Sequence, residues 1–197
     1  RCANCGRVDT LWCSRCQKAL AAAPLLSHLG TAPPLRAVAA TAFHEGIVQT
    51  AVHALKYEGA VMLANPLAER LERCLRALNW TVDLIAPVPL HASRARARGY
   101  NQAQRLAECL AAQCSIPIST TALTRERDTR AQVGLSGTER RANVQGAFRG
   151  EPDALAGRVL LLVDDVSTTG ATLGAAAQAA LDAGATAVYG LTVTAAR

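Results

Sequence analysis

Arg158–Thr172 reads RVLLLVDDVSTTGAT, and the rest of the chain is arranged around it. Val159, Leu160, Leu161, Leu162 and Val163 form an unbroken apolar run, the mark of a strand buried on both faces of a parallel sheet. Asp164 and Asp165 stand at its end. Ser167, Thr168, Thr169, Gly170, Ala171 and Thr172 then make a turn of small, hydroxyl-rich residues. LGAAAQAALDAG follows, alanine-rich and helical, with Gly184 where a helix ends in a left-handed glycine. The stretch is a strand, an acidic pair, a hydroxyl loop and a helix start.

A helix N-terminus behind small residues presents unpaired N–H groups and a positive dipole end, which suits a phosphate. The hydroxyls of Ser167, Thr168, Thr169 and Thr172 add donors, and Gly170 permits close backbone approach. Two carboxylates at the strand tip repel a phosphate, but they accept hydrogen bonds from vicinal sugar hydroxyls or help to hold a divalent cation. A ligand with a phosphate, a diol and a metal satisfies all three. The plain alternative is a crossover with a polar turn, for which two aspartates and a run of hydroxyls are unusual. VDDVSTTGAT resembles the phosphoribosyl pyrophosphate (PRPP) signature of type I phosphoribosyltransferases. That resemblance implies that Asp164 and Asp165 hold the ribose 2′ and 3′ hydroxyls, and that Val166, Ser167, Thr168, Thr169, Gly170, Ala171 and Thr172 wrap the 5′-phosphate.

The chain has 197 residues, enough for one domain with a sizeable core and a small appendage. Aromatics are only 4%, so alanine and leucine fill most of the core. The net charge of +6 suits a polyanionic ligand such as PRPP, or nucleic acid, or solubility alone. No apolar run approaches the roughly 20 residues of a membrane span, so no membrane insertion is expected, and no signal peptide is visible. The chain begins at Arg1 rather than methionine, so a short N-terminal piece is expected to be missing. The cysteine usage reads as a reduced, cytoplasmic protein.

Cys2, Cys5, Cys13 and Cys16 make two CxxC knuckles, which supply four thiolates for structural zinc. The segment is too short for a core of its own, so metal would provide its folding energy. Disulfides, a redox pair and an iron–sulfur cluster are the alternatives. All four ligands being protein, the role is structural or a grip for a partner. Residues 1–30 read as a zinc finger with a short helix, Gln17 to Gly30 running from helix into loop, and 35–197 as the main domain after a Pro33-Pro34 linker. Leu35–Ala42 reads as a strand, Ile47–Tyr57 as a helix and Pro66–Leu78 as a second helix. Lys56, in HALKYEG, is either at the edge of a site or a cation placed at its own helix C-terminus.

Val82–Val88 is a second clear strand, delivering PVPLHASRARARGYNQA. Arg94, Arg96 and Arg98 alternate, so an extended segment would place all three on one side, where guanidiniums match pyrophosphate oxygens. A solvated basic loop is the alternative, and His91 is as much a turn residue as a ligand contact. Gln102–Cys114 is helical. RERDTRAQVGLSGTERRANVQGAFRG, from Arg125 to Gly150, is polar and basic and suits a mobile lid, a nucleic-acid groove or a disordered linker. Val144 and Phe148 would anchor its far end. Ala187–Thr194 is a further strand. Alternating strands and helices with loops at the strand ends predict an open doubly wound sheet.

The double CxxC, HALKYEG, PVPLHASRARARGYNQA, RDTRAQVGLSGTERRANVQGAF and VDDVSTTGAT together resemble the ComF family of competence-associated proteins, in family order and over nearly the whole chain. The middle stretch is also similar to the flexible loop of amidophosphoribosyltransferases. His44 and Tyr100 depart from the family pattern, outside the phosphate motif. The family resemblance implies a type I phosphoribosyltransferase fold, an N-terminal zinc finger and a role in natural transformation. In that setting magnesium accompanies PRPP, Arg94, Arg96 and Arg98 stabilise departing pyrophosphate, and Arg125, Arg127 or Arg130 closes from the lid. The acceptor is unnamed, and no side chain is an evident general base. Single-stranded DNA, and transformation proteins gripped by the zinc finger, are the partners this context suggests. The competing reading is a PRPP-regulated DNA- or partner-binding module without turnover.

Overall fold

The computed structural model describes residues 1–8, 10–26, 28–127, 144 and 146–197. Its elements run α1 (Ser14–Ala22), β1 (His28–Ala32), β2 (Leu35–Phe43), α2 (Gly46–Tyr57), α3 (Ala64–Leu78), β3 (Leu84–Pro87), α4 (Ala92–Arg98), α5 (Gln102–Cys114), β4 (Leu123–Arg125), β5 (Phe148–Gly150), β6 (Val159–Ser167), α6 (Ala171–Asp182) and β7 (Ala187–Ala195). The main sheet has the order β1-β2-β7-β6-β3. β2, β7, β6 and β3 are parallel, and β1 adds an antiparallel edge.

Strand pleat explains the apolar run in β6. Successive side chains point to opposite faces, so Leu161 and Val163 enter one core with Leu191, Val193 and Ile85. Leu160 and Leu162 enter the other with Val188, Leu84 and Ala86. α2, α3 and α5 cover the first face, and α6 covers the second. Each of these β6 leucines is fully buried, worth about 2 kcal/mol relative to exposure. β4 and β5 form a separate antiparallel pair. β5 lies so close to α6 that a Cβ on Gly150 would stand 2.5 Å from the Ala179 carbonyl oxygen.

Two local expectations differ from the structure. α1 begins inside the second CxxC, at Ser14. The segment taken as helix running into loop also contains β1, which pairs with β2. Pro33-Pro34, read as a linker, is instead the two-residue turn that joins β1 to β2 as a hairpin.

The cysteine module does not stand apart. Cys2, Trp12, Cys13, Cys16 and Leu20 are buried in the same cluster as Val52, Leu55 and Leu67. Arg70 of α3 is 1% exposed. Its guanidinium donates to the carbonyls of Leu20, Ala23 and Pro24 at 3.2, 2.9 and 2.7 Å and to that of Thr41 in β2 at 3.3 Å. The two terminal nitrogens of a buried cation are thereby satisfied by backbone oxygens, three of them at the exit of α1, while Nε has no hydrogen-bond partner among the described residues. Among the described residues no helix is long and apolar enough to cross a membrane.

Candidate functional site

The carboxyl ends of parallel strands β6 and β3 open onto one cleft, the usual ligand position in sheets of this kind. β6 stays paired with β7 as far as Ser167↔Ala195, so the acidic pair sits inside the ladder. Pleat then sends the two aspartates different ways. Asp165 shares the face of Leu161 and Val163 and is 3% exposed. Its Oδ1 lies 3.0 Å from Lys56 Nζ, at the C-terminal turn of α2. Its Oδ2 is buried without a hydrogen-bond partner among the described residues. Asp164 turns toward the hydroxyl loop and accepts from the Asp165 N–H at 2.8 Å. Burial, then the Asp165 carboxylate, pushes Asp164 up to about 8, with Lys56 opposing. The site therefore sets a carboxyl whose proton is held more tightly than usual beside one that pairs with Lys56.

The hydroxyl loop makes a small concavity lined by Asp164, Val166, Ser167, Thr168, Gly170, Ala171 and Thr172. Gly170 precedes the first turn of α6 with φ +71°, a conformation that needs glycine. Thr169 Oγ1 accepts from the Ala171 N–H at 3.4 Å. The N–H groups and hydroxyls of this helix start converge on a space suited to a phosphate.

The arginine segment is helical, not extended. His91 caps α4, its Nδ1 accepting from the Ser93 N–H at 3.3 Å, and Gly99 ends it with φ +83°. A helix turns about 100° per residue, so Arg94 and Arg98 share a face and Arg96 points elsewhere. The cleft, about 330 Å³, is lined accordingly by Arg94 and Arg98 but not Arg96. It also takes Lys56, Tyr57, Gln102, Arg125 of β4, Asp164, Asp165, Val166, Thr168 and Thr172. Arg98 lies over the Tyr57 ring at 5.1 Å and donates to Gln102 Oε1. The Tyr100 hydroxyl donates to the Leu55 carbonyl, fixing the end of this segment against α2. Arg127 is exposed and is not among the lining residues. Arg130 and most of the expected lid, 128–143, lie outside the described residues. Val144 and Phe148 are buried at its far end, Phe148 beneath Arg125 at 5.2 Å. Tyr57 and Gln102 escaped sequence reasoning, although Tyr57 adjoins Lys56 and Gln102 opens a recognisable helix.

In the N-terminal module, the sulfurs of Cys2, Cys5, Cys13 and Cys16 all lie within 4.8 Å of one another, with Cys5 and Cys13 at 3.6 Å. Four thiolates about 2.3 Å from a tetrahedral zinc stand about 3.8 Å apart, so the set fits that ion. The surrounding dipoles fit too. The Cys13 N–H donates to Cys2 Sγ at 3.4 Å and the Asn4 amide to Cys16 Sγ at 3.3 Å. Burial opposes the Cys2 thiolate, but N–H donors from Cys13, Cys5 and Asn4 bring it down to about 6. Asn4 favours the Cys16 thiolate, yet burial and three neighbouring sulfurs outweigh it and push Cys16 up to about 12. Four adjacent thiolates thus need a cation to coexist.

No family model matches the chain. Among solved structures, the chain is similar to glutamine PRPP amidotransferase from B. subtilis at 20% identity and a TM-score of 0.45, over 66% of this chain and 26% of that one. It is also similar to orotate phosphoribosyltransferase of Mycobacterium tuberculosis at 17% identity and a TM-score of 0.40, over 92% and 82%. Both likenesses are distant, and the chain spans about a quarter of the amidotransferase's length. The sequence relatives are closer. The DNA utilization protein YhgH of Escherichia coli K12 is 33% identical over 95% of this chain and 80% of its own. Competence protein F of Haemophilus influenzae is 30% identical over 82% and 80%. At that identity and reach, the chain belongs to the ComF family, to which these DNA utilization and competence proteins belong.

Proposed function

We propose that the chain binds PRPP with magnesium and transfers its phosphoribosyl group to an acceptor, in a reduced cytoplasmic setting and in the service of DNA uptake or use. One observation carries the reading: an acidic pair with one member buried, residues of the phosphate-sized loop and three arginines line one cleft. Asp164 and Asp165 receive the ribose hydroxyls. Ser167–Thr172 receive the 5′-phosphate. Arg94, Arg98 and Arg125 face the pyrophosphate. Magnesium would neutralise charge on the pyrophosphate as it departs. Catalysis then rests on positioning and on electrostatic stabilisation of an oxocarbenium-like ribose and its leaving group, without a covalent enzyme intermediate. The cysteine module carries structural zinc and forms the N-terminal unit at 1–30, beside a main domain at 35–197.

Calorimetry tests this reading. PRPP with magnesium should bind the native chain, and the Asp164→Asn, Asp165→Asn double variant should lose that binding. Absence of heat with the native chain, or identical heat with the variant, would overturn it. Single-stranded DNA is the second reading, favoured by the charge of +6 and by the names of the relatives. Among the described residues Tyr57 alone offers an aromatic face to the cleft, which leaves backbone electrostatics as the means of attraction. Binding to an oligonucleotide that does not weaken steeply with salt would remove it.

A further inference from the structure

Gln102 is a polar side chain only 5% exposed, at the first position of α5, and it lines the arginine cleft. Its Oε1 accepts from Nη1 of Arg98, the last residue of α4. The two residues belong to different helices. Gly99 ends α4 with φ +83°, and the turn that follows brings the start of α5 back beside the end of α4. That joint is tied down on two sides. Asn101 Nδ2 donates to the Val88 carbonyl, just past β3, at 3.0 Å, and Asn101 Oδ1 caps α5 by accepting from the Ala103 N–H at 3.0 Å. The Tyr100 hydroxyl donates to the Leu55 carbonyl of α2. The backbone that carries Gln102 is thereby fixed relative to β3 and α2.

The partners of Arg98 set it apart from other cations of the chain. Arg76, Arg105, Arg149 and Arg197 each meet a glutamate. Within the cleft, Lys56 meets Asp165. Half-buried Arg98 meets, among the described residues, an amide oxygen and the Tyr57 ring at 5.1 Å, and both are uncharged. A carboxylate in place of the amide would hold the guanidinium as firmly, but it would cancel the charge that an anion is to feel. A neutral amide fixes the direction and leaves the charge in place. A guanidinium can only donate, so the amide must turn its oxygen toward it. A free arginine side chain loses much rotamer freedom when it grips a ligand, and one already oriented loses less.

We propose that Gln102 is a positioning residue of this cleft, and that its amide oxygen holds Arg98, with its charge uncancelled, toward the pyrophosphate of PRPP. The inference rests on the PRPP reading above. Gln102 acts through Arg98 and has no part in the bonds that form or break. A donor array fixed in advance, with its full charge, is what a leaving group that gathers negative charge requires. Glutamine meets both demands at this position. Asparagine is one methylene shorter, and glutamate brings the cancelling charge.

Calorimetry on the full chain with magnesium tests this with three probes: PRPP, pyrophosphate and ribose 5-phosphate. Gln102→Leu keeps the bulk and removes the amide. It should weaken PRPP and pyrophosphate by about tenfold and leave ribose 5-phosphate within about twofold. A side chain that only held the fold would weaken all three. In an Arg98→Ala background, Gln102→Leu should change pyrophosphate affinity by less than about twofold, because the group through which it acts is gone. Gln102→Glu should melt no lower than the native chain and still bind pyrophosphate about tenfold more weakly, since its carboxylate cancels the Arg98 charge. Equal losses for ribose 5-phosphate and pyrophosphate, an undiminished loss in the Arg98→Ala background, or native pyrophosphate affinity in Gln102→Glu overturns this inference while the PRPP reading stands. Absence of PRPP binding to the native chain overturns both.

Discussion

Asp164 and Asp165 are neighbours in sequence with different surroundings. Asp165 meets Lys56, while Asp164 gains a proton through burial and the neighbouring carboxylate. A carboxyl held up to about 8 from 3.8 is kept protonated by the folded chain while the unfolded chain releases its proton. Its contribution to stability is therefore greatest below about pH 4, falls as pH rises, and is lost above about pH 8. Asp164→Asn should remove that slope and stabilise the unliganded chain at pH 8 by on the order of 1–2 kcal/mol, allowing for its partial exposure. Melting temperature against pH checks this, and an unchanged slope would refute it. The sequence placed both aspartates at a strand tip. It could not say which one met a lysine, because that depends on pleat parity and on a helix far away in the chain.

Among the elements, α4 shows how one spacing serves two periods. Alternating arginines read as one side of an extended segment, yet His91 and Gly99 were helix signals within the same residues. Helical period removes Arg96 from the cleft. Arg94→Ala and Arg98→Ala should each weaken pyrophosphate binding by about tenfold or more, as loss of a charge-assisted hydrogen bond does. Arg96→Ala should leave it nearly unchanged. Calorimetry with pyrophosphate and magnesium separates them, and an equal loss in all three would favour the extended arrangement. The long buried strands and amphipathic helices were legible, because both faces of the sheet require continuous apolar runs and each helix needs a stripe. β1 was not, because two successive prolines read as a linker rather than as the turn of a hairpin.

At the scale of the molecule, the cysteine module shares a core with α2 and α3 and is tied down by Arg70. Arg70→Met would leave four carbonyls of the module and β2 without their donor and should cost about 3 kcal/mol. Denaturation measures the loss, and proteolysis within 24–34 should accelerate. The module should hold one zinc per chain by elemental analysis, and Cys16→Ser should lose it. Trp12, buried in the same cluster, would then shift its fluorescence to the red. CxxC spacing made the ligands legible. The concavity that Ala3 of the module lines together with Gln49, Thr50 and His53 of α2 was not, because it arises from tertiary packing.

The guanidinium of Arg98 over Tyr57 has an optical consequence. Stacked there, it keeps its in-plane N–H donors for a polyphosphate, so a bound anion would sit beside the ring. Tyr57 is 64% exposed, so a larger ring fits there without disturbing the core. In Tyr57→Trp, a polyphosphate bound to that cation would change the field at the indole and with it the emission, and an emission unmoved by pyrophosphate with magnesium would refute this. Occupancy of the cleft would then be visible as emitted light, without turnover and before any acceptor is known.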